Sequence, residues 1–239
     1  DIVAAHANEP NRLYLGAGGL DPLGGVMGSN ISNDAHDTRS VVIADVNNDT
    51  FPDVLFGNAS NQPNRLFLNN GTSDPFDGVT GINITADAHD TRSLAVADLN
   101  GDTLPDLVAG NASGQRNRLY INNGSADPFN NGPGVDITAD AHDTFSIAIA
   151  DVDGDTDLDI VAGNANGQRN RLYLNNGLGS PFLGTAGIDV SIDTLNTWAI
   201  ALWDVDGDSA PDLIAANFGQ PNRLYINNGS SLPFNNVTG

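Results

Sequence analysis

Four stretches of the chain carry oxygen-bearing side chains at positions 1, 3, 5 and 9 of a nine-residue frame. They are Asp45, Asn47, Asp49 and Asp53; Asp98, Asn100, Asp102 and Asp106; Asp151, Asp153, Asp155 and Asp159; and Asp204, Asp206, Asp208 and Asp212. Donors at that spacing wrap a hard cation, with the main-chain carbonyl of position 7 as a further ligand. That carbonyl belongs to Phe51, Leu104, Asp157 and Ala210. Calcium accepts six to eight oxygens in loose geometry, whereas magnesium demands a strict octahedron and keeps its waters, so the expected cofactor is Ca²⁺, about four per chain. Position 4 is Gly101, Gly154 and Gly207, with Asn48 in the first loop, residues that tolerate the positive φ of such a turn. Neither a following helix nor a glutamate at position 12 is present, so these are not EF-hands. The plainer alternative is Asp-rich turns capping hairpins, but half of the acids sit in these loops and would repel strongly without cations.

The loops begin 53 residues apart, and so do most copies of a second string, Asn-Arg-Leu-aromatic, at Asn11, Asn64, Asn117, Asn170 and Asn222. Only the last interval is one residue shorter, the missing residue falling between Asn217 and Asn222. Each unit reads as four short strands. They are an apolar run such as Ser146 to Ala150, a second run after the acidic loop, the Arg-Leu-aromatic segment closed by Asn-Asn-Gly, and an alternating segment such as Val135 to Thr138. A Pro-Phe turn precedes the fourth strand, and Phe76, Phe129, Phe182 and Phe234 are expected to plug the space between neighbouring sheets, with Leu23 in that place in the first unit. Four antiparallel strands recurring at this period define propeller blades. The expected fold is an all-β β-propeller of four-stranded antiparallel blades, about 53 residues per repeat, with incomplete first and last blades. The chain divides into a partial blade 1–36, repeats 37–89, 90–142 and 143–195, and a partial last blade 196–239. The expected total is 18 strands, with three at each end that cannot merge into one blade, so ring closure is not expected from this chain alone.

The apolar run, the Asp-x-Asn/Asp-x-Asp loop, the Asp-Leu/Ile-Val-x-Gly-Asn strand and the hairpin that follows resemble the FG-GAP and VCBS repeats. The resemblance covers essentially the whole chain. It implies the calcium-binding propeller of integrin α-subunit heads and of many secreted bacterial proteins, with calcium between strands one and two and strand one nearest the channel. It also implies an extracellular setting, often adhesion or glycan binding.

Composition narrows the function. There are 30 acids against 9 bases, a formal charge of −21, which excludes binding along a phosphate backbone. Every base is arginine, and all the acids but Glu9 are aspartate, a residue of turns, caps and metal loops. The absence of cysteine rules out disulfides and thiolate chemistry, and no apolar run is long enough for a spanning helix. The N-terminus lacks a signal peptide, as a mature secreted chain or an excised fragment would.

Repeated acidic loops argue for scaffold rather than for a single catalytic pocket, so no enzyme is expected. His36, His89 and His142 recur ahead of strand one as a candidate ligand or second metal site. The other reading is a turn whose aspartate caps backbone amides while the histidine packs. Arg12, Arg65, Arg118, Arg171 and Arg223 are expected to pair internally with aspartates. Trp198 and Trp203 break the pattern of the last unit, as a sugar-stacking pair or as filler for a replaced residue. Nine sequons occur, including Asn30, Asn58, Asn83, Asn111 and Asn236. The expected function is an extracellular, calcium-stabilised, non-catalytic binding or adhesion module, secreted or at the cell surface, for a glycan or a matrix protein. The alternatives are a self-assembling subunit that uses strand complementation, and an accessory domain of a larger secreted enzyme or adhesin.

Overall fold

The computed structural model describes residues 1–239 apart from Asn131, Asn236 and Thr238, so the sequon at Asn236 lies outside the described residues. The described strands number 18 and form five antiparallel sheets, each in simple chain order. The first sheet holds β1 (Ile2–Ala4), β2 (Arg12–Tyr14) and β3 (Ser29–Asn30). The second holds β4 (Thr38–Ala44), β5 (Asp53–Asn58), β6 (Gln62–Phe67) and β7 (Ile82–His89). The third holds β8 (Thr91–Ala97), β9 (Asp106–Asn111), β10 (Arg116–Tyr120) and β11 (Val135–Ala141). The fourth holds β12 (Thr144–Ala150), β13 (Asp159–Asn164), β14 (Arg171–Tyr173) and β15 (Ile188–Asp189). The fifth holds β16 (Thr197–Trp203), β17 (Asp212–Asn217) and β18 (Arg223–Tyr225). The chain is thus an all-β propeller-type array of four-stranded blades with three-stranded first and last sheets.

Consecutive sheets pack through the rows β4, β8, β12 and β16. β5, β9 and β13 are buried along their whole length, because each is covered on both faces by neighbouring blades. Four apolar clusters fill the four junctions. The one between the second and third sheets joins Val46, Leu55 and Leu66 to Leu94, Leu107, Tyr120 and Phe129. Phe76, Phe182 and Phe234 sit in the other three, as the pattern of the turns predicts. Leu23, at the same place in the first sheet, is exposed.

Polar bonds repeat with the same phase. The Asn122 side-chain amide donates to the Val46 carbonyl across the junction (2.8 Å), and Asn175 and Asn227 do the same to Leu99 and Val152. Ser40, Ser93 and Ser146 hydroxyls accept the backbone N–H of Leu94, Ile147 and Ile200 in the next blade. Register shifts between Thr38 and Ser40, and at the matching places of β8, β12 and β16, put Arg39, Arg92, Phe145 and Trp198 at β-bulges, which re-aim a side chain.

Candidate metal loops and inter-blade clefts

Each acidic loop joins strand one to strand two of its blade, so the sheets hold both of its ends. Position 4 has positive φ, from 61° at Asn48 to 87° at Gly207, as the glycine pattern predicts. Position 6 is also left-handed, at Thr50, Thr103, Thr156 and Ser209 (φ 73–83°). Threonine resists that region, and only a well-determined surrounding holds it there. Together these residues curl the main chain around its own side chains. In the second loop the Asp98 carboxylate accepts the N–H groups of Gly101, Asp102 and Thr103, and Asp102 accepts that of Leu104. The first loop repeats most of this through Asp45, Asn47 and Asp49, the last bonded to the N–H of Phe51.

Position 9 does a different job. Asp53, Asp106, Asp159 and Asp212 are fully buried. One oxygen of each accepts an N–H from position 2 of its loop, and the other accepts one from the end of strand three, as Asp159 does from Val152 (3.0 Å) and Asn175 (2.8 Å). Burial raises the pKa of Asp53, Asp106 and Asp159 against those hydrogen bonds. Asp53 is shifted up, Asp106 is pushed up to about 6 and Asp159 to about 7, with the other loop carboxylates adding to the shift.

The donor set fits a hard cation. Carboxylate oxygens of Asp151, Asp153 and Asp155 all lie within 4.8 Å of one another, as do those of Asp204, Asp206 and Asp208. Asp153 Oδ1 is buried without a hydrogen-bond partner, and burial followed by the charge of Asp155 raises its pKa. In the first two loops asparagine takes position 3, and its amide donates to the position 5 carboxylate: Asn47 to Asp49 (2.9 Å) and Asn100 to Asp102 (3.0 Å).

The histidines lie at the opposite end of each strand one. His36, His89 and His142 are partly buried, and among the described residues no cluster of three or more metal-ligating side chains includes one. Burial lowers the pKa of His89. The neighbouring aspartates do cap. Asp90 accepts the Ser60 N–H of the preceding blade and the Ser113 hydroxyl of its own.

Four of the five arginines of the row pair with aspartates, as expected, Arg223 with Asp193 among them, whereas Arg12 donates to the Gly28 carbonyl instead. Arg65 pairs with Asp34 (2.8 Å), Arg118 with Asp87 (3.0 Å) and Arg171 with Asp140 (2.8 Å), each across a junction. Arg118 and Arg171 also pair within their own blade with Asp136 and Asp189. Trp198 stacks on Phe218 at 4.6 Å and packs near Phe145 (5.8 Å), with Arg92 over the Phe145 ring. Asn58 and Asn111 are fully buried and bonded to Thr38 and Thr91, so these two sequons are closed to glycan attachment.

One feature has no motif. A cleft recurs where strand four of one blade meets the Pro-Phe turn of the next. Between the second and third blades it is about 510 Å³, with Ile84, Thr85, Asp127 and Phe129. Between the third and fourth it is about 410 Å³, with Arg116, Val135, Asp136, Phe182 and Leu183. Between the fourth and fifth it is about 380 Å³, with Arg169, Asp189, Ile192 and Phe234. Val135, Leu183 and Ile192 are exposed apolar side chains on these rims. Apolar walls with a few charged groups suit small-ligand recognition.

Fold and loops together define a class: a repeat protein of propeller blades with an acidic loop in each strand-one to strand-two connection. The chain belongs to the FG-GAP-like repeat family, whose model matches residues 45–109, 98–162 and 151–215. No curated protein sequence matches it significantly. Among solved structures it is similar to an Agrocybe aegerita lectin that recognises non-reducing terminal N-acetylglucosamine (TM-score 0.58, 17% identity), covering 94% of this chain and 59% of the lectin. The V. cholerae biofilm matrix protein Bap1 matches with TM-score 0.44 and 18% identity, over 87% of this chain and 32% of Bap1. BBS1N from its complex with ARL6DN matches with TM-score 0.44 and 14% identity, over 80% of this chain and 53% of that one. This chain therefore spans less than two thirds of each. Among its described residues no helix is long and apolar enough to cross a membrane.

Proposed function

We propose that this chain is a calcium-stabilised, non-catalytic binding module that works outside the cell and takes glycan or protein ligands in the clefts between its blades. The blades are the units 37–89, 90–142 and 143–195, flanked by 1–36 and 196–239. The observation that carries the reading is the fourfold repetition of an acidic loop, at constant phase, on the same connection of successive blades. In the third loop Asp151, Asp153, Asp155, the Asp157 carbonyl and Asp159 would hold the ion. The corresponding residues of the other three loops would do the same. Bound calcium would supply positive charge where the loop carboxylates crowd, and would tie strand one to strand two.

The sequence's own part is preorganisation. Positions 4 and 6 curl the loop, and position 9 anchors it to strand three. Extracellular modules bind calcium at about 0.1–1 mM, which suits loops this exposed. For the ligand, the support is the threefold recurrence of a partly apolar cleft with arginine and aspartate at its rim in two of three copies. Calorimetric titration of calcium into metal-free protein should give about four sites, and fewer than two would refute the metal reading. A glycan and matrix-protein screen in calcium should yield a ligand whose binding Val135→Asp weakens. A ligand indifferent to that variant and to Leu183→Asp would place its site elsewhere.

A further inference from the structure

The three clefts share a plan but not a charge. Each is walled by strand four of one blade and the Pro-Phe turn of the next. Two positions set the charge of the rim. The first is the residue before the Asn-Arg-Leu string, which is Pro10, Pro63 and Pro221 in three units but Arg116 and Arg169 in the other two. The second lies on the facing turn, directly before its proline, where the third unit has Asp127, the fourth Ser180 and the fifth Leu232. The cleft between the second and third blades therefore has Asp127 as the only charged residue of its described lining. The next two clefts each gain an arginine, and the turn that faces it has lost the acid.

These two arginines differ from their neighbours in the row. The Arg116 and Arg169 side chains are 51% and 43% exposed, against 15% for Arg118 and Arg171. Arg118 and Arg171 each hold two carboxylates, Asp87 with Asp136 and Asp140 with Asp189. One oxygen of Asp136 is thus taken by Arg118, and Arg116 donates to the other (2.6 Å). Arg169 donates to Asp189 in the same way. Among the described residues neither guanidinium has a further partner, so each keeps donors for a group that comes from solution. Beside Arg116 the wall is apolar, with Val135 and Leu183, and beside Arg169 it carries Ile192 and Phe234. A guanidinium next to an apolar wall takes a carboxylate that carries an apolar group.

Charge and the strand at the wall decide which molecule brings that pair. A formal charge of −21 repels an acidic polysaccharide with a carboxylate on every repeat, whereas a single carboxylate on an otherwise neutral or basic ligand reaches one arginine. β11 is the outermost strand of its sheet, so along its outer edge the backbone groups have no ladder partner, and its residues line the cleft. An extended peptide satisfies such an edge. We infer that the cleft beside β11 captures the C-terminal residue of a protein partner. Its main-chain carboxylate meets Arg116, and its apolar side chain lies against Val135 and Leu183. The cleft of Arg169 offers a second, weaker copy of the site, because only two residues of β15 stand at its edge. The inference rests on the reading that the clefts bind ligands, and it selects protein over glycan as the occupant.

The test titrates four probes into the whole 239-residue chain in calcium and follows backbone amide shifts by NMR. N-acetyl-leucine carries the carboxylate, the amide and the apolar side chain of a chain end. N-acetyl-leucinamide lacks the charge, N-acetyl-serine lacks the apolar group, and glucuronate is an acidic sugar. N-acetyl-leucine should shift residues 135–139 first and 189–192 at higher concentration, and leave 83–86 in place. N-acetyl-leucinamide and N-acetyl-serine should bind about tenfold more weakly, and glucuronate should leave 135–139 unmoved. Arg116→Gln should bring N-acetyl-leucine down to the affinity of N-acetyl-leucinamide without changing the latter, a split that mere loosening of the blade would not produce. An unchanged thermal midpoint checks that the variant folds; Arg116→Pro, with the residue of three other units, replaces it if it does not. Equal binding of acid and amide overturns the inference, and so do shifts that Arg116→Gln leaves alone. Silence of N-acetyl-leucine up to its solubility overturns it too, while a ligand lost on Val135→Asp would still keep the clefts as binding sites. Glucuronate binding at 135–139 with N-acetyl-leucine silent would give the cleft to sugars instead.

Discussion

Aspartate serves two opposite purposes in this molecule, and the difference lies in what stands beside it. Along the arginine row, in the pairs across the junctions and in those within a blade, it meets arginine. Burial would raise Asp136 and Asp189, but Arg116 with Arg118, and Arg169 with Arg171, hold their carboxyls below the ordinary range. In the loops at the other end of strand one no base stands near. Burial and like charge push Asp53, Asp106, Asp153 and Asp159 up instead. The arginine pairs carry their own counter-charge, whereas on the proposed reading the counter-charge of the loops arrives from solution. One residue type thus makes permanent joints at one end of the blade and conditional ones at the other.

The largest expected effect is removal of the metal. At a free calcium tenfold above the dissociation constant, four equal sites contribute about 1.4 kcal/mol each, so chelation should lower the thermal midpoint by many degrees. An unchanged midpoint would erase the contrast between loops and arginine pairs. Next comes Asp159→Ala, which leaves two buried N–H groups unpaired and should cost about 2–4 kcal/mol in chelator, and more in calcium, where a ligand is lost as well. Asp155→Ala should cost stability in calcium and little in chelator, and equal losses in both would refute calcium as the link. Arg118→Ala breaks a junction pair and should cost about 2 kcal/mol, equally with and without calcium by denaturant titration.

The smallest effects concern charge count and pH. Asp153→Asn gives the third loop the donor set of the first two and should weaken one calcium site several-fold by calorimetry. In metal-free protein, a folded Asp153 with raised pKa keeps its proton where the unfolded chain has lost it. Its contribution therefore falls as pH rises from the ordinary carboxylate value, about 4, through the raised one, and Asp153→Asn should remove that part of the slope. Asp90 has the opposite sign. Burial opposes the shift, but hydrogen bonds from Ser113 and Arg92 depress its pKa, so its contribution is present above about pH 4 and lost below it. Thermal midpoints between pH 3 and 7 separate the two.

Most of this architecture was legible because the repeat states it several times. A fixed interval of 53 residues located the loops, the arginine row and the phenylalanine plugs, and it gave the strand count. What was not legible lies between repeats. Each cleft has walls from two blades and no string of its own. The left-handed threonine at position 6 is invisible because threonine does not advertise that conformation, although its recurrence beside the glycine was a usable signal. The reason Gly57, Gly110 and Gly163 carry no Cβ shows only with the neighbouring strand one in place, where Leu94, Ile147 and Ile200 would meet it. Trp198 reads from the sequence as sugar platform or filler; it stacks on Phe218 and lies near Phe145 while half of it stays exposed.

The hydrogen bonds that tie blade to blade have a consequence for how the molecule comes apart. Ser40 to Leu94, Asn122 to Val46 and Arg118 to Asp87 each join a unit to the one beside it. Cooperativity then passes only from neighbour to neighbour, as along a row of coupled switches. Breaking one latch should therefore loosen the two sheets it joins before the change reaches the rest. Amide exchange in Arg118→Ala would record it as protection lost first in β7 and β10, the strands of Asp87 and Arg118.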